Sequence, residues 1–394
     1  MPTENYARRR TLQVFGAAPG AILFCLSIAA CVSLIAPARF ALSERPQFAK
    51  VEIDNGQPRR DVGGEIIDAH DGCLKYFDGR YYLYGTAYGK TAGYSINNRF
   101  RVYSSKNLKD WRFDGELIES PPDGVYYRPY VIYNRNTRKY ILWYNWLPKL
   151  WEGKVGVAVS DTPVGPFKVV EAEVKVAGYA DRMGDGSLFV DTDGVGYFIY
   201  TMIGQNHAIR IQRLTSDFLG VTSDTSGVLG VGCEAPALFR NHGLYYALFD
   251  STCCFCSAGS GVRVLVASHP LGPYVEKANI NRGAEGRPII AAQQTFVAEV
   301  LTPAGPAFLW MADRWGSRPD GVKGHDLQFW SGPLHFTSDG LIEPLDAAPA
   351  WAAVIQVGTK QDGAKRPYIW PKKSDPNPVK IDPCTGAPLP QEAW

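Results

Sequence analysis

Four charged residues, Asp71, Arg128, Asp185 and Glu234, each stand at the start of a short segment rich in apolar and aromatic residues. Carboxylates brought to one place with a guanidinium can do acid–base chemistry. One carboxylate activates water, and a protonated one donates to a leaving oxygen. A third raises the pKa of the donor by like-charge repulsion. Hydrolysis of a glycosidic bond with inversion uses such a set, with the two reacting carboxyls roughly 6.5–9.5 Å apart so that a water fits between them. Taken singly, each acid reads as well as a turn or strand-end cap. Their recurrence at the same place in separate repeats favours the chemical reading.

The elements that must position these residues are short strands and tight turns. Residues 65–85 set the plan. A polar cluster of Asp68, His70 and Asp71 leads into an apolar segment. Phe77-Asp78-Gly79-Arg80 then supplies a turn, because Asp-Gly tolerates the positive φ of a tight hairpin. Tyr81-Tyr82-Leu83-Tyr84 returns as an aromatic strand. The plan recurs with a period of about fifty residues, the spacing of propeller blades. Later units open at Tyr126-Tyr127-Arg128-Pro129, at Asp181-Arg182-Met183-Gly184-Asp185, at Cys233-Glu234-Ala235-Pro236 and at Gln293-Gln294-Thr295. Several close on a Val-Ala-Ser type strand, and no long stretch carries a helical period. The chain is therefore predicted to be all-β, a five-bladed β-propeller over residues 63–350. In that fold the starts of the innermost strands converge at one end of the central axis, so five remote segments line one pocket.

A formal net charge of +2 gives no electrostatic reason to expect nucleic acid as a partner. Arg8-Arg9-Arg10, the apolar run of residues 21–36 and Ala36-Pro37-Ala38 read as a signal peptide or signal anchor over residues 1–41. The body is thus expected outside the cytoplasm, secreted or periplasmic, or membrane-anchored if the signal stays uncleaved. Residues 42–62 read as a linker or wrapping segment and residues 351–394 as a C-terminal wrapping tail. Beyond Cys25 and Cys31 of the apolar run, six cysteines remain: Cys73, Cys233, Cys253, Cys254, Cys256 and Cys384. An oxidising compartment permits disulfides among them, with connectivity open. Cys253-Cys254-Phe255-Cys256 lacks a second spaced Cys/His pair, so a disulfide or buried thiol is expected there rather than a metal. Cys73 and Cys233 each lie within two residues of a proposed catalytic acid, which suggests a pairing of those two.

Asp68-Ala69-His70-Asp71-Gly72, Arg128-Pro129-Tyr130-Val131-Ile132-Tyr133-Asn134, Asp185-Gly186-Ser187-Leu188-Phe189, Glu234-Ala235-Pro236-Ala237, Gln293-Gln294-Thr295-Phe296-Val297 and Asp313-Arg314-Trp315 form an ordered set. Together they resemble glycoside hydrolase family 43, inverting five-bladed propellers acting on plant and related polysaccharides, and within it the exo-β-1,3-galactanase branch. The resemblance implies Glu234 as general acid, Asp185 as the residue tuning its pKa, and Asp71 as general base. Gln293 matches a glutamine that this branch uses near the water. His70, Tyr126, Arg128, Gln293, Asp313, Arg314 and Trp315 are the substrate-binding candidates. Trp315 could stack on a sugar or pack within a blade, and Arg314 could instead pair with Asp313. The branch commonly has Gly at the position of Asp71 and Glu at that of Tyr127, so this chain retains an ordinary base and loses one contact to sugar hydroxyls.

The resemblance further implies a carbohydrate partner, galactosyl or arabinofuranosyl, met by a monomer without a catalytic cofactor or catalytic metal. A structural calcium on the central axis is known in relatives, and His325 and Asp326 are the candidates for one, against a surface-loop reading. The competing readings are a glycan-binding propeller without activity and a retaining fructan-type hydrolase of the related clan.

Overall fold

The computed structural model describes residues 46–149, 152–176 and 182–358. The segment expected to direct export, most of the expected tail, and Cys25, Cys31 and Cys384 lie outside them.

Five sheets follow one another along the chain, each built from antiparallel strands adjacent in sequence, with one short parallel strand added at the edge of the second. Blade 1 is His70–Phe77, Arg80–Ala87, Arg99–Ser105 and Arg112–Glu116. Blade 2 is Val125–Asn134, Lys139–Leu147, Lys154–Ser160 and Phe167–Glu171, with the short Ile118–Glu119 parallel at its outer edge. Blade 3 is Met183–Val190, Gly196–Met202, Ala208–Leu214 and Val221–Thr225. Blade 4 is Cys233–Asn241, Leu244–Ser251, Arg263–Ala267 and Val275–Asn279. Blade 5 has three strands, Gln293–Thr302, Gly305–Arg314 and Leu327–Pro333. The first strand of each blade packs against the first strands of its two neighbours, and that of blade 5 packs against that of blade 1. The ring closes, and the predicted all-β five-bladed propeller is the observed fold.

Local chemistry explains the repeat. The expected hairpin turn has positive φ at both Asp78 and Gly79, 51° and 80°, as a two-residue turn between right-twisted strands requires. Large aromatic residues on and beside the inner, returning and outer strands pack within and between the blades. Trp111, Trp143, Trp310 and Trp330 are all fully buried. Each such ring removes roughly 150–250 Å² from water, worth about 4–6 kcal/mol before conformational cost.

The outer edge of blade 5 is covered by the segment that precedes the propeller. Asn55 Nδ2 donates to the Trp330 carbonyl and Asn55 Oδ1 accepts from the Trp330 N–H, both at 2.9 Å. The Arg59 guanidinium lies 3.8 Å over the Trp330 ring. A bare sheet edge would otherwise offer its unpaired backbone groups to another chain. Gln47–Asp54 pairs antiparallel with Ala350–Val357 in a separate two-stranded sheet, so the described start of the expected tail is a strand.

One irregularity repeats in all five blades. The register between first and second strands breaks near the start of each inner strand: between His70 and Cys73, Tyr127 and Tyr130, Met183 and Gly186, Glu234 and Ala237, and Gln294 and Phe296. A bulge re-aims side chains out of the regular alternation of a strand. These are the positions at which the charged residues stand.

Candidate active site

Three of the five bulges contain a residue in the left-handed conformation. Asp71 has φ 47°, Arg128 φ 55° and Ala235, next to Glu234, φ 53°, left-handed conformations that a straight strand never uses. Gly72 lets the first bulge press onto its partner strand, since a Cβ there would meet the Tyr84 carbonyl oxygen at 1.9 Å. The bulges bring Asp71, Arg128, Asp185, Glu234 and Gln293 to one cavity open to solvent. Tyr88, Tyr94, Tyr127, Cys254, Phe255 and Trp315 complete its lining.

The Asp71 and Glu234 carboxyl groups sit in different environments. Asp71 Oδ1 accepts from Thr86 Oγ1 at 2.6 Å and from the Arg128 N–H at 3.3 Å, while Oδ2 accepts from the Tyr88 hydroxyl. Burial pushes the Asp71 carboxyl up to about 6, opposed by the Arg128 charge and by the Thr86 and Tyr88 hydroxyls. Glu234 Oε1 accepts from the Cys253 N–H at 2.5 Å and from Gln293 Nε2 at 2.6 Å. Burial, then the negative charge of Asp185, push Glu234 up to about 8. Arg128 ties the cluster together. Its Nη2 lies 3.0 Å from Asp185 Oδ2, and its Nη1 donates to the Thr295 carbonyl at 3.0 Å. Burial works against its charge, but Asp185, Asp71 and Glu234 outweigh it and hold the guanidinium ionised. The arrangement holds a proton on Glu234 near neutral pH while Asp71 is largely ionised, the division of labour that acid–base hydrolysis needs.

Of the sequence-predicted site residues, Asp71, Arg128, Asp185, Glu234, Gln293 and Trp315 line the cavity, and His70, Tyr126, Asp313 and Arg314 do not. His70 and Asp313 form a buried brace between blades 1 and 5. His70 Nδ1 lies 2.8 Å from Asp313 Oδ1, and Asp313 Oδ2 accepts from the Asp71 N–H at 2.8 Å. Burial opposes the imidazolium, and Asp313 outweighs it, raising His70 to about 9. Asp313 thus acts on the site through Asp71 rather than by facing the cavity. Tyr126 turns the other way along its strand, packing on Phe100, Tyr144 and Trp146 and donating to the Pro122 carbonyl. Arg314 lies half-buried at the end of its strand, paired in register with Leu327.

Sequence reading did not select Tyr88, Tyr94, Tyr127, Cys254 or Phe255 as site residues. Tyr127 was visible only as a departure from the family pattern. Tyr88 had a signal beside it: Asp68 Oδ1 accepts from the Tyr88 N–H and Oδ2 from the Gly89 N–H, both at 2.8 Å, and so hold the loop that aims the Tyr88 hydroxyl at Asp71.

Two cysteine expectations change. The suggested Cys73–Cys233 pairing is absent; both are buried thiols, with Cys73 Sγ accepting from the Val131 N–H at 3.4 Å. The disulfide joins Cys253 to Cys256 and closes the loop that carries Cys254 and Phe255 to the cavity. The calcium candidates do not fit a cation either. Asp326 pairs with Arg318 at 3.0 Å and Lys323 at 3.9 Å, and His325 Nδ1 lies 2.7 Å from Asp320. Among the described residues no group of three or more His, Cys, Asp or Glu could hold a metal ion.

No curated protein matches the chain by sequence. Among solved structures, a β-1,3-galactosidase in complex with galactodeoxynojirimycin is 24% identical with a TM-score of 0.67, over 76% of this chain and 99% of that one. An exo-β-1,3-galactanase from Clostridium thermocellum is 26% identical, TM-score 0.65, over 78% and 67%. An exo-β-1,3-galactanase from Phanerochaete chrysosporium with β-1,3-galactotriose is 23% identical, TM-score 0.65, over 78% and 70%. The family model for glycosyl hydrolases family 43 matches residues 66–294, a span that contains Asp71, Arg128, Asp185, Glu234 and Gln293. By that match and by the five-bladed fold with its acidic cavity, the chain belongs to glycosyl hydrolases family 43.

Proposed function

We propose that this glycoside hydrolase is exported and cleaves terminal galactosyl units with inversion, Glu234 donating a proton to the leaving oxygen and Asp71 taking one from water. The observation that carries the reading is the pairing of two differently tuned carboxyl groups in one cavity, Asp71 at about 6 and Glu234 at about 8. Asp185 supplies the negative charge that helps keep Glu234 protonated, and Arg128 keeps Asp185 in place. Galactosyl is favoured over arabinofuranosyl because the Clostridium relative is an exo-β-1,3-galactanase. Export is favoured by the basic-then-apolar N-terminus and by the Cys253–Cys256 disulfide, which suits an oxidising compartment.

The test is release of nitrophenol from a panel of nitrophenyl glycosides that includes β-D-galactopyranoside and α-L-arabinofuranoside. Hydrolysis of the galactoside, lost in Glu234→Ala, supports the reading. Proton NMR of the first-formed sugar should show the anomer opposite to the substrate's. A product of unchanged configuration overturns inversion, and release from no sugar together with retained polysaccharide binding overturns the catalytic assignment.

A further inference from the structure

The resemblance to galactanases places a glutamine at the water, yet in this chain both ends of the Gln293 amide are held by other side chains. Its Oε1 accepts from the Trp315 indole N–H at 2.6 Å, and its Nε2 donates to Glu234 Oε1 at 2.6 Å. The indole nitrogen can only donate, so the carbonyl end of the Gln293 amide must face Trp315 and the NH₂ end must face Glu234. The only side-chain acceptor atom of Gln293 therefore already accepts from a buried donor. Trp315 has little freedom to release it. Its ring packs edge-on against Tyr88 and Phe255, at 5.6 and 4.9 Å between centroids, and the Lys323 ammonium lies 4.1 Å from it.

The same geometry distinguishes the two oxygens of Glu234. Oε1 receives two N–H donors, from Gln293 and from the Cys253 backbone in the disulfide-closed loop. A proton on Oε1 would point at those donors. The neutral acid must therefore carry its hydroxyl on Oε2, with Oε1 as the carbonyl oxygen.

We infer that Gln293, clamped between Trp315 and Glu234, is a positioning residue for the acid: it directs the transferable proton to Glu234 Oε2 and leaves the water to Asp71. This rests on the acid–base assignment above. It separates the site into an acid side, made by blades 4 and 5 (Glu234, Gln293, Trp315), and a water side, made by blades 1 and 2 (Asp71, Tyr88, Arg128).

Leaving-group dependence tests it. A 2,4-dinitrophenyl group departs without protonation, whereas a phenyl group needs the acid. With the β-D-galactopyranosides as probes, Gln293→Met should lose about 100-fold in kcat/KM on the phenyl substrate and under about fivefold on the dinitrophenyl one, in the range that general acid catalysis contributes. The basic limb of its pH profile should move to higher pH, because an N–H donor that favours ionised Glu234 is gone. Trp315→Phe keeps the ring and deletes the N–H. It should show the same ratio in weaker form, and it decides the matter if Gln293→Met does not fold. Equal losses on both leaving groups, or no loss on either, overturn the inference. Wild-type protein inactive on both substrates, and on the rest of the glycoside panel, would instead overturn the functional reading beneath it.

Discussion

Two sides of one cavity hold a carboxyl group by different means. On the water side, hydroxyls and a backbone N–H are spread over both oxygens of Asp71. These donors and the Arg128 charge favour the ionised form and leave burial only a modest upward effect. On the acid side, both donors fall on one oxygen of Glu234, and the nearby charge of Asp185 acts with burial rather than against it. The difference teaches that burial alone does not assign a role. Asp71 is buried and braced, but its partners favour giving up the proton. Glu234 has a like charge beside it and one oxygen without a hydrogen-bond partner among the described residues, which favours the protonated form that the proposed acid role requires.

The largest effect that can break this comparison comes from the two carboxyls themselves. Asp71→Asn should cost about 10²–10⁴ in kcat on every leaving group, whereas Glu234→Ala should cost that much only where the leaving group needs protonation. Steady-state rates on phenyl and dinitrophenyl glycosides check both. An Asp71→Asn protein that keeps its rate would remove Asp71 from the water side.

A smaller effect sharpens the pH side. For the wild type, kcat/KM should rise as Asp71 ionises near about 6 and fall as Glu234 loses its proton near about 8. In Tyr88→Phe the loss of the hydroxyl that favours ionised Asp71 should move the acidic limb upward by less than about one unit, with the basic limb unmoved. Movement of the basic limb instead would mean that the roles are reversed.

The smallest effect is on stability. Folded Glu234 binds its proton more tightly than the unfolded chain does, so its ionisation reduces stability as pH rises from 4.5 through about 8. Glu234→Gln should therefore raise Tm at pH 9 relative to wild type and change it little at pH 4, where the glutamate is protonated in both states. Calorimetry at the two pH values measures the difference.

Much of the fold was legible because its signals are local. Asp78-Gly79 declares a tight hairpin by its own backbone preferences, and Tyr81-Tyr82-Leu83-Tyr84 declares a packed strand. Asp71, Arg128, Asp185, Glu234 and Gln293 could be found because a repeat places them at equivalent positions. His70 and Asp313, drawn from the family resemblance, do not line the cavity but brace Asp71 from behind, because a motif marks a stretch of chain and not which way a side chain points. One residue of displacement along a strand separates Tyr126, packed in a blade seam, from Tyr127 at the cavity. Cys254 and Phe255 arrive on an irregular loop between the second and third strands of blade 4, and no period announces such a segment.

Sequence by itself determined the number of blades and the chemistry of the residues at their starts, which follow from turn preferences, alternation and spacing that act over a few residues and repeat. The family entered separately, through the resemblance of an ordered set of motifs, and the family model over residues 66–294 bears it out. Only the tertiary structure decided that Cys73 and Cys233 remain thiols, that Asp313 braces Asp71, and that the Gln293 amide faces Glu234 with its nitrogen. Each of those depends on distances between blades, set by how the ring closes and by which donor happens to face which acceptor across it.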